Sequence, residues 1–131
     1  MDDLQLYNEF DDMKLKDNLL RGIYSYGYEK PSKIQQKAII PCIEGKDIIA
    51  QAQSGTGKTA TFTIGLLQLL DESVKETQVV ILSHTRELAI QINDVVTNIS
   101  KFMKVSVNLS VGGIDIKSNI KSLETNPHIV I

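Results

Sequence analysis

The apolar positions of the chain alternate between the spacing of amphipathic helices and the spacing of buried strands. Helices are predicted over residues 12–26, 32–44, 58–71, 85–102 and, more weakly, 115–124. Strands are predicted over residues 47–52, 78–83, 105–111 and 128–131. Helices and strands in alternation predict an α/β fold, in which helices flank a parallel sheet.

Single residues indicate where the predicted helices and strands end or are interrupted. Gly27 is predicted to end the first helix, and Pro41 is expected to kink or divide the second. The continuous apolar run 79–82 is typical of a parallel strand that is covered on both faces. The chain stops at Ile131 inside an apolar strand, so we expect it to be a piece of a longer domain.

Composition narrows the class of protein but does not reveal its activity. The 131 residues are 42% hydrophobic and 23% charged, which predicts one modest globular domain with its own core. No apolar run has the roughly 20 residues that a membrane span needs, and the acidic start of the chain does not resemble a secretory signal. Cys42 is the only cysteine, which excludes an intrachain disulfide and fits a reducing, intracellular location.

The charge balance limits one functional class. The net charge is −2 and the pI is about 5.6, which argues against strong non-specific binding of nucleic acid through many lysines and arginines. A few phosphate contacts through backbone amides and helix N-termini are still compatible with this balance.

The segment 52–59, Ala-Gln-Ser-Gly-Thr-Gly-Lys-Thr, lies between a predicted strand and a predicted helix, which is the context of a phosphate-binding P-loop. Its glycines let backbone N–H groups point at phosphates, and the new helix adds its positive end. Lys58 is predicted to reach the β- and γ-phosphates of ATP as the catalytic lysine, and Thr59 to hold Mg²⁺. The predicted nucleotide contacts in this loop are Ser54, Gly55, Thr56, Gly57, Lys58 and Thr59. The alternative, a flexible connector with an exposed lysine, is disfavoured by the position between strand and helix.

Gln35 has two competing interpretations. Its amide can donate one hydrogen bond and accept another, which matches adenine and not guanine, so it is a candidate for selecting ATP, with Tyr28 stacking on the base. Ser32 and Gln35 also have the Ser-x-x-Gln spacing of a capping box at the start of a helix, and the local pattern favours this role. We expect the two roles to compete for one amide.

Four segments in this order resemble motifs of the DEAD-box family of ATP-dependent RNA helicases. Residues 27–35, Gly-Tyr-Glu-Lys-Pro-Ser-Lys-Ile-Gln, resemble the Q motif, and residues 52–59 resemble motif I. Residues 85–89, Thr-Arg-Glu-Leu-Ala, resemble motif Ia, and residues 111–113, Val-Gly-Gly, resemble the GG motif. Phe10 matches the isolated aromatic that the family places 17 residues before Gly27.

The resemblance implies a RecA-like P-loop fold that is incomplete at its C-terminal side. Residues 1–131 would be the N-terminal part of the first RecA-like domain, with 1–9 a flexible tail. It also implies that Phe10, Tyr28 and Gln35 recognise adenine. The family's Asp-Glu-Ala-Asp motif is not in the sequence, so we expect the chain alone to be inactive.

The resemblance further implies contacts with RNA backbone, made by Thr85, Arg86, Gly112 and Gly113, that do not read sequence. Spacing alone would favour a solvated helix residue at Arg86 and a plain turn at the two glycines. The chain departs from the family by having His84 where proline is usual and Ile114 where threonine is usual.

Within the family, the residues are most similar to members that act in translation initiation and nearly as similar to a member of the exon junction complex. The implied activity is RNA-stimulated ATP hydrolysis that separates short duplexes. The implied partners are RNA, a second RecA-like domain of the same protein and translation initiation scaffold proteins, with no membrane. The implied location is the cytoplasm, with the nucleus as the alternative. An ATP-gated RNA clamp and a non-helicase P-loop NTPase stay open as other functions.

Overall fold

A computed structural model of the protein describes residues 6–131. A short 3-10 helix, Phe10–Met13, precedes five α-helices: α1 Asp17–Tyr26, α2 Lys33–Ile43, α3 Lys58–Leu69, α4 Arg86–Ile99 and α5 Ile116–Leu123. The strands are β1 Val79–Val80, β2 Val107–Asn108 and β3 Ile129–Val130. Across these residues, no helix is both long and apolar enough to traverse a bilayer.

The three strands form a parallel sheet in the order β1-β3-β2, so the strand that comes last in the sequence is central. Ile129 is in register with Val79 on one side and with Val107 on the other. Helices pack around this sheet, which confirms the predicted α/β class. All three strands point the same way, so their carboxyl ends meet at one edge, where ligands of such sheets bind.

The core lies where α1, α3 and α4 pack together and against the sheet. Its largest fully buried apolar side chains are Phe10, Leu19, Ile23, Ile39, Ile64, Leu67, Val96, Ile99 and Ile129. The helices α1 to α4 each contribute buried apolar residues to this core, whereas α5 buries none. The most extensive packing between any two helices is that of α2 on α3. This packing places the N-terminus of α2 beside the N-terminus of α3, where the P-loop ends.

Two helix predictions need correction. The first helix begins at Asp17 and not at residue 12, because residues 10–13 form the 3-10 turn and Lys14 adopts a left-handed conformation with φ 55°. The second helix is not divided at Pro41 but continues to Ile43. Pro41 lacks the N–H of one helical hydrogen bond, and the helix continues for only two residues after it.

The prediction of a strand over 47–52 is wrong for this structure, because the segment adopts no regular structure and Ile49 is fully exposed. A strand is stabilised by hydrogen bonds to a neighbour, and the three described strands pair only with one another. The other strands are at their predicted places but are shorter than predicted.

The predicted tail, residues 1–9, lies partly outside the described residues, which begin at Leu6. In the described part, Tyr7 is half-buried and packs against the core. Glu9 forms an ion pair with Lys30 at 3.3 Å.

Candidate functional site

The P-loop is a tight turn that leads directly into the first residue of α3. Gly55 and Gly57 have φ values of 80° and 86°, a left-handed conformation that side chains disfavour, and Gly57 is the N-cap of α3. Lys58 begins the helix and is exposed, and its Nζ donates to the carbonyl oxygen of Ala52 at 2.7 Å. The lysine therefore spans the loop from one end to the other, beside the positive N-terminus of α3.

Side chains from outside the loop fix its shape. Ser32 Oγ donates to the carbonyl oxygen of Thr56 at 2.8 Å, and Gln35 Nε2 donates to that of Gly57 at 3.5 Å. Thr61 Oγ1 also donates to the Gly57 carbonyl, at 2.7 Å. Sequence reasoning assigned no role at the loop to Ser32 or Thr61, because their partners lie 24 and 4 residues away and are backbone carbonyls.

The capping box predicted for Ser32 and Gln35 is present. Ser32 N donates to Gln35 Oε1 at 2.9 Å, and Ser32 Oγ accepts from Gln35 N at 3.5 Å. The Gln35 side chain is only 1% exposed. Both ends of its amide thus have protein partners, one in the cap and one in the P-loop.

Tyr28 and Gln35 line the same cavity, which has a volume of about 380 Å³ and reaches the P-loop at Gly55 and Gly57. Tyr28 is half-buried and stacks on Tyr26 with ring centroids 5.2 Å apart and an interplanar angle of 28°. Burial, and then the neighbouring Tyr26, raise the pKa of Tyr28 above its ordinary value. Tyr26 is a residue that the sequence analysis did not single out.

Phe10 does not line this cavity in the structure. It is fully buried in the core, where its ring meets the edge of Tyr24 at a centroid distance of 6.2 Å. The structure therefore joins two of the three predicted adenine contacts and places the third inside the core. A stack of Phe10 on adenine would require this ring to become uncovered.

The predicted RNA contacts lie near the carboxyl ends of β1 and β2. Thr85 is the N-cap of α4, and its Oγ1 accepts from Leu88 N at 3.1 Å. The guanidinium of Arg86 lies against Gly113, since a Cβ added to that glycine would come within 3.0 Å of it. Thr85, Arg86 and Gly112 line one cavity of about 340 Å³ together with His84. The two motifs, separated by more than 20 residues in sequence, are thus neighbours in space.

The residues at the start of α3 fit a metal that arrives with its nucleotide. The predicted Mg²⁺ ligand, Thr59, is half-buried in the first turn of this helix. Within residues 6–131, no three His, Cys, Asp or Glu side chains cluster in a way that would hold a metal ion. A hydroxyl oxygen is a ligand that Mg²⁺ accepts, and this ion usually keeps several waters and takes further oxygens from nucleotide phosphates.

A sequence comparison decides the family. The profile of the DEAD/DEAH box helicases matches residues 32–131, which include the capping box, the P-loop, the start of α4 and all three strands. The chain belongs to the DEAD/DEAH box helicase family. The resemblance to the DEAD-box family is thereby confirmed.

Curated relatives in this family are similar along nearly the whole chain. It is 54% identical over 127 residues to eukaryotic initiation factor 4A of Drosophila melanogaster, covering 97% of this chain and 32% of that protein. It is 55% identical over 122 residues to the ATP-dependent RNA helicase eIF4A of Meyerozyma guilliermondii, covering 93% of this chain and 31% of that protein. The chain spans about a third of the length of these relatives.

Solved structures of other DEAD-box proteins have the same fold. A DEAD box protein from the hyperthermophile Methanococcus jannaschii superposes with a TM-score of 0.86 at 37% identity, over 97% of this chain and 35% of that one. Saccharomyces cerevisiae Dbp5 bound to RNA and ADP BeF3 superposes with a TM-score of 0.80 at 32% identity, over 95% of this chain and 32% of that one. The RecA-like α/β class predicted from the sequence is confirmed.

Proposed function

We propose that the chain is the ATP-binding part of an ATP-dependent RNA helicase, a longer protein that separates short RNA duplexes in translation initiation. The observation that carries this proposal is the P-loop at the start of α3, held in shape by Ser32 and Gln35 of the Q motif. The family membership and the similarity to the initiation factor 4A relatives support it. Below, "the full-length protein" means this longer protein.

Lys58 is the proposed catalytic lysine. Its ammonium group now donates to the Ala52 carbonyl, and a β- or γ-phosphate of ATP is a stronger acceptor because it carries charge. The backbone N–H groups of residues 54–59 would surround the phosphates, and Thr59 would provide a hydroxyl to Mg²⁺. Mg²⁺ supplies charge neutralisation of the phosphates when it is bound.

Gln35 is proposed to read adenine without giving up the capping box. An amide oxygen accepts two hydrogen bonds and an amide nitrogen donates two, and the structure uses one of each. The contact to Gly57 is long at 3.5 Å and therefore weak, so the donor is readily shared with a base. One acceptor position and one donor position of the amide are therefore free, so capping and base reading need not compete as we expected. Tyr28 would stack on the base from the same cavity. A contact between Phe10 and the base stays a prediction that requires this fully buried ring to become uncovered.

Thr85, Arg86, Gly112 and Gly113 are proposed to hold RNA backbone. Thr85, Arg86 and Gly112 line one cavity, and the Arg86 guanidinium also lies against Gly113, which provides a cation and closely approachable backbone amides. Such groups bind phosphate independently of sequence. The structural similarity to Dbp5 bound to RNA supports this role.

The remaining partners follow from the same proposal. A second RecA-like domain of the full-length protein would close over ATP and RNA and supply the arginines that stabilise the transferring phosphate, a contribution of about 10³–10⁵ in rate in related NTPases. Initiation scaffold proteins would bind in the cytoplasm.

Phosphate release by the full-length protein, with and without single-stranded RNA, tests the proposal. We expect ATP hydrolysis to rise when RNA is added, and a short labelled duplex to separate only with ATP. A rate of ATP hydrolysis that is the same with and without RNA would favour a non-helicase P-loop NTPase. RNA held tightly with ATP but released very slowly would favour the clamp.

A further inference from the structure

The C-terminus of α1 has the hydrogen bonds of a Schellman motif. Gly27 N donates to the carbonyl oxygen of Tyr24 at 3.1 Å, and Tyr28 N donates to that of Ile23 at 3.4 Å. Gly27 has a φ of 108°, the left-handed conformation that this motif requires and that glycine adopts without strain. The motif therefore fixes the backbone on both sides of Gly27.

This turn brings Tyr26 and Tyr28 face to face. Residues two apart would lie on different sides of a continuing helix, but here their rings stack at 5.2 Å. Tyr26 is 40% exposed and does not line the cavity beside the P-loop, whereas Tyr28 does. Tyr26 thus covers one face of Tyr28, a ring that also lines the cavity beside the P-loop.

We propose that Tyr26 is a positioning residue for the base of the nucleotide, which holds the Tyr28 ring in the orientation that stacks on adenine. This inference rests on the proposed function, since it deepens the ATP site described above. Tyr26 acts without touching the nucleotide. A ring that is already held before binding loses less conformational entropy when the base arrives, so the affinity is higher.

The proposal predicts that Tyr26 affects the binding of the base but not the binding of the phosphates. In the proposed site Lys58 and the P-loop amides bind the phosphates, whereas Tyr26 lies outside the cavity that Tyr28 shares with the P-loop. Removing Tyr26 should therefore weaken the binding of a nucleotide with a base and leave a base-free triphosphate unaffected. A general loss of folding would weaken both.

The test compares the wild-type full-length protein with Tyr26→Ala and Tyr26→Phe. Affinities are measured by calorimetric titration with MgATP and with the magnesium salt of ribose 5′-triphosphate. Tyr26→Ala should bind MgATP about two- to twelvefold more weakly, the effect of one aromatic pair, and ribose triphosphate as the wild type does. Tyr26→Phe keeps the stack and should bind both ligands normally. In steady state, KM for ATP should rise in Tyr26→Ala while kcat stays unchanged.

Two results would overturn the inference while leaving the proposed function intact. One is a Tyr26→Ala protein that binds MgATP as tightly as the wild type. The other is an equal loss of affinity for both ligands, which would assign Tyr26 a purely structural role. A wild-type protein that binds neither ligand would instead refute the proposed function, and the inference with it.

Discussion

The side-chain amide of Gln35 donates to the carbonyl oxygen of Gly57, and so connects the N-terminus of α2 directly to the P-loop. The hydrogen bond is long at 3.5 Å, but the amide lies over the glycine itself, since a Cβ on Gly57 would come within 2.5 Å of Gln35 Nε2. Ser32 makes a parallel connection to Thr56. Hydrogen bonds therefore join the residues that would read the base to the loop that would bind the phosphates. A substitution in either part should affect the other.

Gln35→Ala should have two separate effects. Loss of the capping-box partner should lower the free energy of unfolding by about 1 kcal/mol. Loss of the base contact should reduce the preference for ATP over GTP by about 1–3 kcal/mol. Thermal unfolding and titrations with both nucleotides measure the two effects on one protein.

Ser32→Ala is the matched control for Gln35→Ala. It removes the cap and the bond to Thr56 but leaves the Gln35 amide in place, so stability should fall while the preference for ATP over GTP is kept. If Gln35→Ala also keeps the wild-type nucleotide preference, Gln35 is a capping residue alone.

Arg86→Ala should weaken RNA binding uniformly across RNA sequences. It removes one phosphate contact from the cavity at Gly112, so the slope of log affinity against log salt should fall by about 1. Arg21→Ala is the control, because that guanidinium lies over the Phe102 ring at 4.2 Å and outside this cavity. Fluorescence anisotropy with two unrelated RNA oligonucleotides at several salt concentrations measures the slope. Equal slopes for Arg86→Ala and wild type would contradict the proposed RNA contact.

The 131-residue chain by itself should self-associate and show no RNA-stimulated hydrolysis. Leu82 is 89% exposed, Ile49 is fully exposed, and β1 is paired on one side only among the described strands, features that favour association. Light scattering should show species larger than a monomer, and the double substitution Ile49→Lys and Leu82→Lys should shift them towards the monomer. Lysine at two already exposed helix positions, Asn98 and Ser118, provides a control for added charge. A monomeric wild-type chain that hydrolyses ATP faster with RNA would contradict this prediction.

Local signals in the sequence predicted the helices, the capping box and the position of the P-loop because each signal acts through neighbours in the chain. Gly27 ends α1, Ser32 and Gln35 form the capping box, and the P-loop lies at the start of α3. These features depend on backbone conformation and on hydrogen bonds a few residues apart.

Features that depend on distant partners were not predictable in the same way. Residues 47–52 have the composition of a strand, but composition does not supply the neighbour whose hydrogen bonds make one. Phe10 matched a motif, yet its burial against Tyr24 is set by packing of the 3-10 turn on α1. The stack of Tyr26 on Tyr28 was partly indicated by the sequence, since Gly27 predicts a left-handed turn. That this turn brings the two flanking rings together was not predicted.

The measurement that tests the central claim most directly is the affinity of MgATP for the full-length protein and for its Lys58→Ala variant, obtained by calorimetric titration. Lys121→Ala, on the exposed helix α5, is the matched control for removing a lysine. The account predicts that Lys58→Ala loses ATPase activity and binds ATP more weakly, because the charge that faces the β- and γ-phosphates is gone. Its melting temperature should be unchanged, because Lys58 is exposed. A Lys58→Ala protein that binds and hydrolyses ATP like the wild type and the control would contradict the assignment of residues 52–59 as the nucleotide site.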